Sequence, residues 1–234
     1  MSPAHPHPQR DEAATAVFLR KERPDAVVLT AAKVGGIMAN STYPVQFIED
    51  NLRIQLSVIA GAHAAGVRRL LFLGSSCICP RVTAQPITEE ALLTGPLEPT
   101  NEAYALAEIA GIVQAQSYRK QYGASYVVAM PGNLYGPGDD FDLKTSHVLL
   151  LRRYDSDAPV NVGCGYDLTI HELARTVADA VGFTGELVRD TDKPDGTPRK
   201  LLDTSRPAAL GWQPRIPLGE GIAATYQAWR QAQA

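Results

Sequence analysis

A chain of 234 residues is long enough for one large domain, or one and a half smaller ones, and can bury a proper core. A hydrophobic fraction of 45%, a charged fraction of 20% and a formal net charge of -3 describe an ordinary globular protein and give no electrostatic case for nucleic acid or an anionic membrane as partner. No apolar run approaches the roughly 18 residues of a membrane span. The opening MSPAHPHPQRDEAATA has no apolar core of a secretion signal, and a cytoplasmic protein is expected. Cys77, Cys79 and Cys164 are too few and too oddly placed for a disulfide framework, which suits a reducing compartment. No second Cys or His cluster completes a four-ligand site around SCICP, so no metal is expected.

In chain order, Asp11 caps a predicted helix through EAATAVFLRKER, and DAVVLTAA follows as a short buried strand ending in small residues. The loop KVGGIMANSTYP leads into PVQFIEDNLRIQLSVIAGAHAAG. There Phe47, Ile48, Leu52, Leu56, Ile59 and Ala60 recur at helical spacing as far as a stop at Gly66. RRLLFLGSS reads as a second buried strand. After a Pro-rich loop, PTNEAYALAEIAGIVQAQSYRKQYG predicts a second long helix, capped by Thr100 and terminated by Gly123. SYVVAMPGNLYGPG is a third strand running into a glycine loop. Strand, helix, strand, helix, strand at this spacing predicts parallel βαβ units and an α/β protein.

Beyond about residue 145 the elements shorten. DAPVNVGCG predicts a strand, and TIHELARTVADAVG a helix opened by a capping box of Thr169 and Glu172. GELVRD reads as a further strand, DKPDGTPRKLLDTSRP as a polar loop ending at a helix cap, and LGEGIAATYQAWRQAQA as a terminal amphipathic helix. These pieces divide the chain at about residue 150 into regions 1–150 and 151–234.

In open parallel sheets ligands bind beyond the carboxyl ends of the strands. Here those ends are AAKVGG, GSSCICP and PGNLYGPG, which offer glycines, hydroxyls and an amide for a small-molecule site. Glycines after strands are equally what any tight turn needs.

The order and wording of AAKVGGIMANSTYP, FLGSSCICP, EPTNEAYALAEIAG, MPGNLYGP, NVGCG and KPDGTPRKLLD resemble successive blocks of the GDP-L-fucose synthases, members of the extended short-chain dehydrogenase/reductase group. The resemblance runs from about residue 11 to the C-terminus, interrupted near residue 155. It implies a doubly wound, Rossmann-like sheet in region 1–150 that binds NADP(H), and an abbreviated α/β substrate region in 151–234. The implied reaction epimerises GDP-4-keto-6-deoxy-D-mannose at C3 and C5 and reduces its C4 ketone with hydride from NADPH.

Protons beside a ketone yield to a positioned base, with a second group reprotonating the opposite face. The family uses a Cys and a His, which match Cys77 and His147; its proton donor at C4 is a Tyr assisted by a Ser, matching Tyr104 and Ser75. Ser75 is expected to donate a hydrogen bond to the ketone oxygen. The resemblance also assigns Leu73, Gly74, Ser75, Ser76, Pro131, Gly132, Asn133, Leu134, His147 and the position of Glu108 to the cofactor, and Asp195 to the substrate. Without it, Cys77 reads as a small buried hydrophobe, His147 as a helix-end histidine, Tyr104 as a packing residue and Asp195-Gly196 as a turn.

Three departures accompany the matches. The family opens with a strand, a G-x-x-G-x-x-G loop and a helix that hold the cofactor diphosphate; this chain begins after that unit, which leaves the sheet without its central first strand and with unpaired edges. A segment that carries most substrate-diphosphate contacts is missing where LLLRRYDSDAPVNVG joins its two sides. The family's Y-x-x-x-K reads Tyr104-Ala105-Leu106-Ala107-Glu108, and an ionised Glu108 on the face of Tyr104 would disfavour a tyrosinate. Weakened NADP(H) binding and an impaired reductase are therefore expected. The alternatives are a non-catalytic relative that binds nucleotide sugar or pairs through its two long helices, which resemble those of dimeric relatives, and a gene fragment.

Overall fold

The computed structural model describes residues 8–133, 135, 136 and 146–233, the side chains of residues 146–148 excepted. The Asp11 side chain accepts from the amide of Ala14 at 3.0 Å and opens α1, Glu12–Glu22, which ends where Arg23 turns left-handed at φ 45°. β1 is Ala26–Leu29, α2 Ile37–Thr42, α3 Pro44–Ala64, β2 Arg69–Leu73, α4 Glu102–Tyr122 and β3 Ser125–Pro131. They are followed by α5 Ser146–Arg153, β4 Val160–Val162, α6 Ile170–Val181, α7 Ser205–Ala209 and α8 Leu218–Gln233. Gly123, at φ +66°, ends α4 because the left-handed region costs a residue without Cβ nothing.

The four strands lie parallel in the order β1-β2-β3-β4, with Leu29 beside Phe72, Phe72 beside Val128 and Ala129 beside Val160. Side chains alternate across this sheet. Leu70 and Phe72 of β2 and Tyr126, Val128 and Met130 of β3 join Ile54, Ile59 and Ile112 in one core, beneath α1, α3 and α4. Leu71, Val127 and Ala129 point the other way and meet Leu150 and Tyr154, with Val160 and Val162 of β4. Burial on both faces explains why β2 and β3 read as continuous apolar runs. At β1 the second face is less covered, with Val28 36% exposed, and among the described residues no strand pairs with its outer edge.

The C-terminal residues are clamped to this sheet. The buried carboxylate of Glu89 accepts from the backbone amide of Asn161 at 2.8 Å, and the Asn161 side chain donates to the carbonyl of Ile87 at 2.9 Å. Arg206, on α7, donates to the carbonyl of Pro159 at 2.6 Å and to Glu90 at 2.7 Å. The segment after β2, strand β4 and helix α7 are thereby held as one unit.

Two sequence expectations need correction. Thr100 does not cap α4: the buried Glu98 carboxylate takes its amide at 3.2 Å and its hydroxyl at 3.0 Å inside a 3-10 turn, Pro99–Asn101, and the helix starts behind Asn101. GELVRD forms no strand, and Val188 is 81% exposed there; no neighbouring strand offers it a ladder among the described residues. The capping box at Thr169 and Glu172 forms as expected.

Candidate active site

The residues of interest gather where β2 and β3 end. Gly74 extends the pairing beyond β2 by donating to the carbonyl of Ala129 at 2.9 Å, and Ser75 follows in extended backbone. The Ser75 hydroxyl accepts from the amide of Cys77 at 3.1 Å and opens a 3-10 turn, Ser76–Ile78, that presents the half-buried Cys77 thiol. Tyr104, in the first turn of α4, packs edge-on against Phe47 of α3, with ring centroids 6.5 Å apart.

Burial pushes the Tyr104 phenol well above its ordinary value, Glu108 and Cys77 push it the same way, and the Ser75 hydroxyl alone favours the phenolate. Two residues on, Cys79 is buried and its thiol is pushed up to about 11, by burial first and then by Cys77. The two cysteines of SCICP thus differ in kind: Cys77 faces the site and Cys79 belongs to the core.

A later stretch of chain completes the cluster. Residues 195–204 run across the carboxyl end of the sheet. A Cβ on Gly196 would lie 3.1 Å from the Ile37 side chain, and the amide of Ile87 donates to the carbonyl of Leu201 at 2.7 Å. Lys200 in this stretch brings its Nζ to 3.2 Å from the Cys77 sulfur. The motif KPDGTPRKLLD contains this lysine, but nothing in its local sequence marks it as a neighbour of Cys77. The exposed Asp195 lies on the same segment, beside Gly196.

Ser75, Cys77 and Tyr104 are therefore brought together at one sheet edge, with Leu73, Gly74, Ser76, Pro131 and Gly132 in the backbone around them. Gly132 donates to the carbonyl of Val162 at 2.9 Å, and Asn133 next to it is exposed. Leu134 and the side chain of His147 lie outside the described residues; the backbone at His147 belongs to α5.

Glu108 differs from its expected state. It is 1% exposed, packed toward α3, and accepts from Gln55 Nε2 at 3.3 Å. Burial pushes its carboxyl up to about 8, against the smaller lowering by Gln55. At neutral pH the group one turn from Tyr104 is an acid in its neutral form, not the carboxylate expected on the helix face.

Residues 8–166 match the NAD dependent epimerase/dehydratase family. The chain belongs to that family. Within it, the chain is 48% identical over 254 residues to the GDP-L-fucose synthase of Sinorhizobium fredii, covering 91% of this chain and 81% of the relative. It is 45% identical over 268 residues to the GDP-L-fucose synthase of Escherichia coli, with coverage of 93% and 84%. Among solved structures, MlghC, a GDP-mannoheptose C4 reductase from Campylobacter jejuni with NADP bound, superposes at a TM-score of 0.84 with 28% identity, over 95% of this chain and 86% of that one. A GDP-L-fucose synthetase from Naegleria fowleri bound to NADP shares the fold at a TM-score of 0.80 and 24% identity, over 97% and 83%.

Both of these solved structures hold NADP. The hydroxyls of Ser75 and Tyr104, beside the ends of β2 and β3, fit hydrogen bonding to such a cofactor. The position of Glu108 does not: a buried neutral acid turned to α3 offers no cation to a ribose or a phosphate. What the arrangement supports without a cofactor is proton chemistry at a carbonyl compound, with two hydroxyls to polarise an oxygen and a thiol beside them.

Proposed function

We propose that this chain is a member of the GDP-L-fucose synthase group that handles GDP-4-keto-6-deoxy-D-mannose or a closely related keto nucleotide sugar, with its 3,5-epimerising half retained and its NADPH-dependent reducing half impaired. The convergence of Ser75, Cys77, Tyr104 and Lys200 at one sheet edge carries the reading, together with near 48% identity to a GDP-L-fucose synthase. Ser75 and Tyr104 hydrogen-bond the C4 ketone oxygen and polarise it. Cys77 exchanges the proton on the neighbouring carbon, with His147 as its counterpart on the opposite face. Lys200 holds the Cys77 sulfur in place, and Asp195 contacts the nucleotide part of the substrate. When bound, NADPH supplies hydride to C4. Weak binding is expected, because the buried acid Glu108 stands where the resemblance expects a cation.

Incubation with GDP-4-keto-6-deoxymannose in deuterated water tests this. Deuterium is expected at C3 and C5 without NADPH, and little GDP-fucose is expected with it. Absence of exchange from intact, folded chain would sink the proposal, and rapid GDP-fucose formation would show the reductase to be whole. Fluorescence titration with NADPH is expected to give a dissociation constant well above the micromolar range.

A second reading concerns assembly. Leu56 of α3 and Leu106 and Val113 of α4 are exposed on the two long helices, which pack together. They suit a homodimer in which both helices meet their copies. Light scattering on the purified chain distinguishes dimer from monomer, and Leu106→Arg is expected to shift the balance to monomer.

A further inference from the structure

Where α3 crosses α4, the bond from Gln55 Nε2 to Glu108 Oε1 leaves two atoms unpartnered beside it, Gln55 Oε1 and Glu108 Oε2. The residues are 2% and 1% exposed, so water does not satisfy these atoms from the surface. With Glu108 ionised, both are acceptors to which no donor is offered among the described residues, a costly arrangement for an amide and more so for a carboxylate. A single proton resolves both.

We propose that Glu108 is a proton-bearing positioning residue: its Oε2–H donates to Gln55 Oε1 while Gln55 Nε2 donates to Glu108 Oε1, closing a carboxylic acid–carboxamide pair that fixes α4 against α3. The surroundings are built for such a pair. Gly111, three residues along α4, leaves the space the carboxamide fills: a Cβ there would sit 2.9 Å from both Gln55 Cδ and Oε1, and 2.5 Å from Phe72 Cζ. The groups around the carboxyl are Gln55 from α3, the Phe72 ring from β2 beside Gly111, and Tyr104 one turn earlier on α4, which Cys77 of the Ser76–Ile78 turn also influences. Among the described residues, no lysine, arginine or histidine acts on Glu108. Burial raises the carboxyl to about 8, as a group kept neutral by its site requires.

The consequence reaches Tyr104. As a neutral pair, Glu108 and Gln55 hold the first turns of α4 in register without setting a negative charge beside the phenol; once the proton leaves, the carboxylate joins burial in opposing the phenolate and the pair comes apart. This extends the function proposed above only where turnover is concerned, and the test does not depend on that function. Folding takes up a proton whenever the pH lies between the carboxyl's ordinary value and its raised one. The stability the pair supplies is complete below the ordinary value and is lost as pH rises through the raised one.

Urea unfolding of the full chain between about pH 5 and about pH 9 is the experiment, with Glu108→Gln as the comparison. The glutamine reproduces both hydrogen bonds without a titrating proton. The ratio of the two folding equilibrium constants, wild type over Glu108→Gln, is expected to fall about tenfold per pH unit up to about pH 8 and then level off. Stability curves that stay parallel throughout would overturn the proposal. Should Glu108→Gln fail to fold, carbon-13 glutamate infrared spectra of the wild type decide: a protonated carboxyl band at about pH 6.5 that disappears by about pH 9.5 supports it, and complete ionisation at the lower pH overturns it. Tyr104→Phe leaves this titration in place.

Discussion

The Lys200 ammonium stands 3.2 Å from the Cys77 sulfur, across 123 residues of chain. Two hydrogen bonds just after Lys200 support the contact: Gln85 Oε1 accepts from the amide of Leu201 at 2.9 Å, and the amide of Asp203 donates to the carbonyl of Ile87 at 2.9 Å. The C-terminal segment is thus zipped onto the loop that follows β2. Cys77 is held at its exposed end while Cys79 is kept inside.

Thiol labelling reads this difference. Cys164 is exposed and Cys77 half-buried, whereas Cys79 is buried with its thiol pushed up to about 11. Iodoacetamide at about pH 8 is expected to label Cys164 and Cys77 in the folded chain and to spare Cys79 until urea is added. Early labelling of Cys79, seen by peptide mass, contradicts its placement in the core.

Cys77→Ser should lower deuterium exchange into the keto nucleotide sugar by about 100- to 10,000-fold, the usual contribution of a positioned acid or base, with the unfolding midpoint little changed. Exchange that survives the substitution assigns the proton transfer to another group.

Gly111→Ala forces a methyl group to 2.5 Å from Phe72 Cζ and 2.9 Å from Gln55. The crossing of α3 and α4 cannot absorb it without moving a ring, so a loss of about 1–3 kcal/mol is expected from urea unfolding.

Asp50, buried on α3, accepts from Arg10 at 2.7 Å and Lys33 at 3.1 Å. Burial raises its carboxyl, and the hydrogen bonds and charges of Arg10 and Lys33 outweigh it, so the folded value lies below the ordinary one. A depressed acid contributes stability above its ordinary value and loses it as pH falls through the folded one. Wild type is therefore expected to lose stability below about pH 4 more steeply than Asp50→Asn, as followed by circular dichroism.

Much of the fold is legible in the sequence because its burial is local. LLFL within RRLLFLGSS and YVVAM within SYVVAMPG are apolar without a break, as strands covered on both faces must be, and Asp11, Gly123 and Thr169 announce helix ends through their own backbone chemistry. Thr100 misleads because Glu98 takes its amide and hydroxyl into a 3-10 turn ahead of the helix, and GELVRD because β propensity without a neighbour makes no strand. The site is legible only in part. Ser75, Cys77 and Tyr104 follow from where they stand in the α/β pattern and from the family's wording. The state of Glu108 depends on what α3 presents opposite it, and the place of Lys200 on a segment closed over 116 residues, as in the bond from Leu201 to Gln85. Neither is encoded in a local window.

The segment 195–204 also orders events in time. β1, β2 and β3, with α3 and α4 between them, emerge from the ribosome and can pair long before residue 200 is made. The β-bridge between Ile87 and Leu202 must wait, and loop closure over such a span is slow relative to local packing. Cys77 consequently spends the interval of synthesis with its lysine neighbour still unmade. A nascent chain halted before residue 195 leaves the Cys77 thiol without this neighbour.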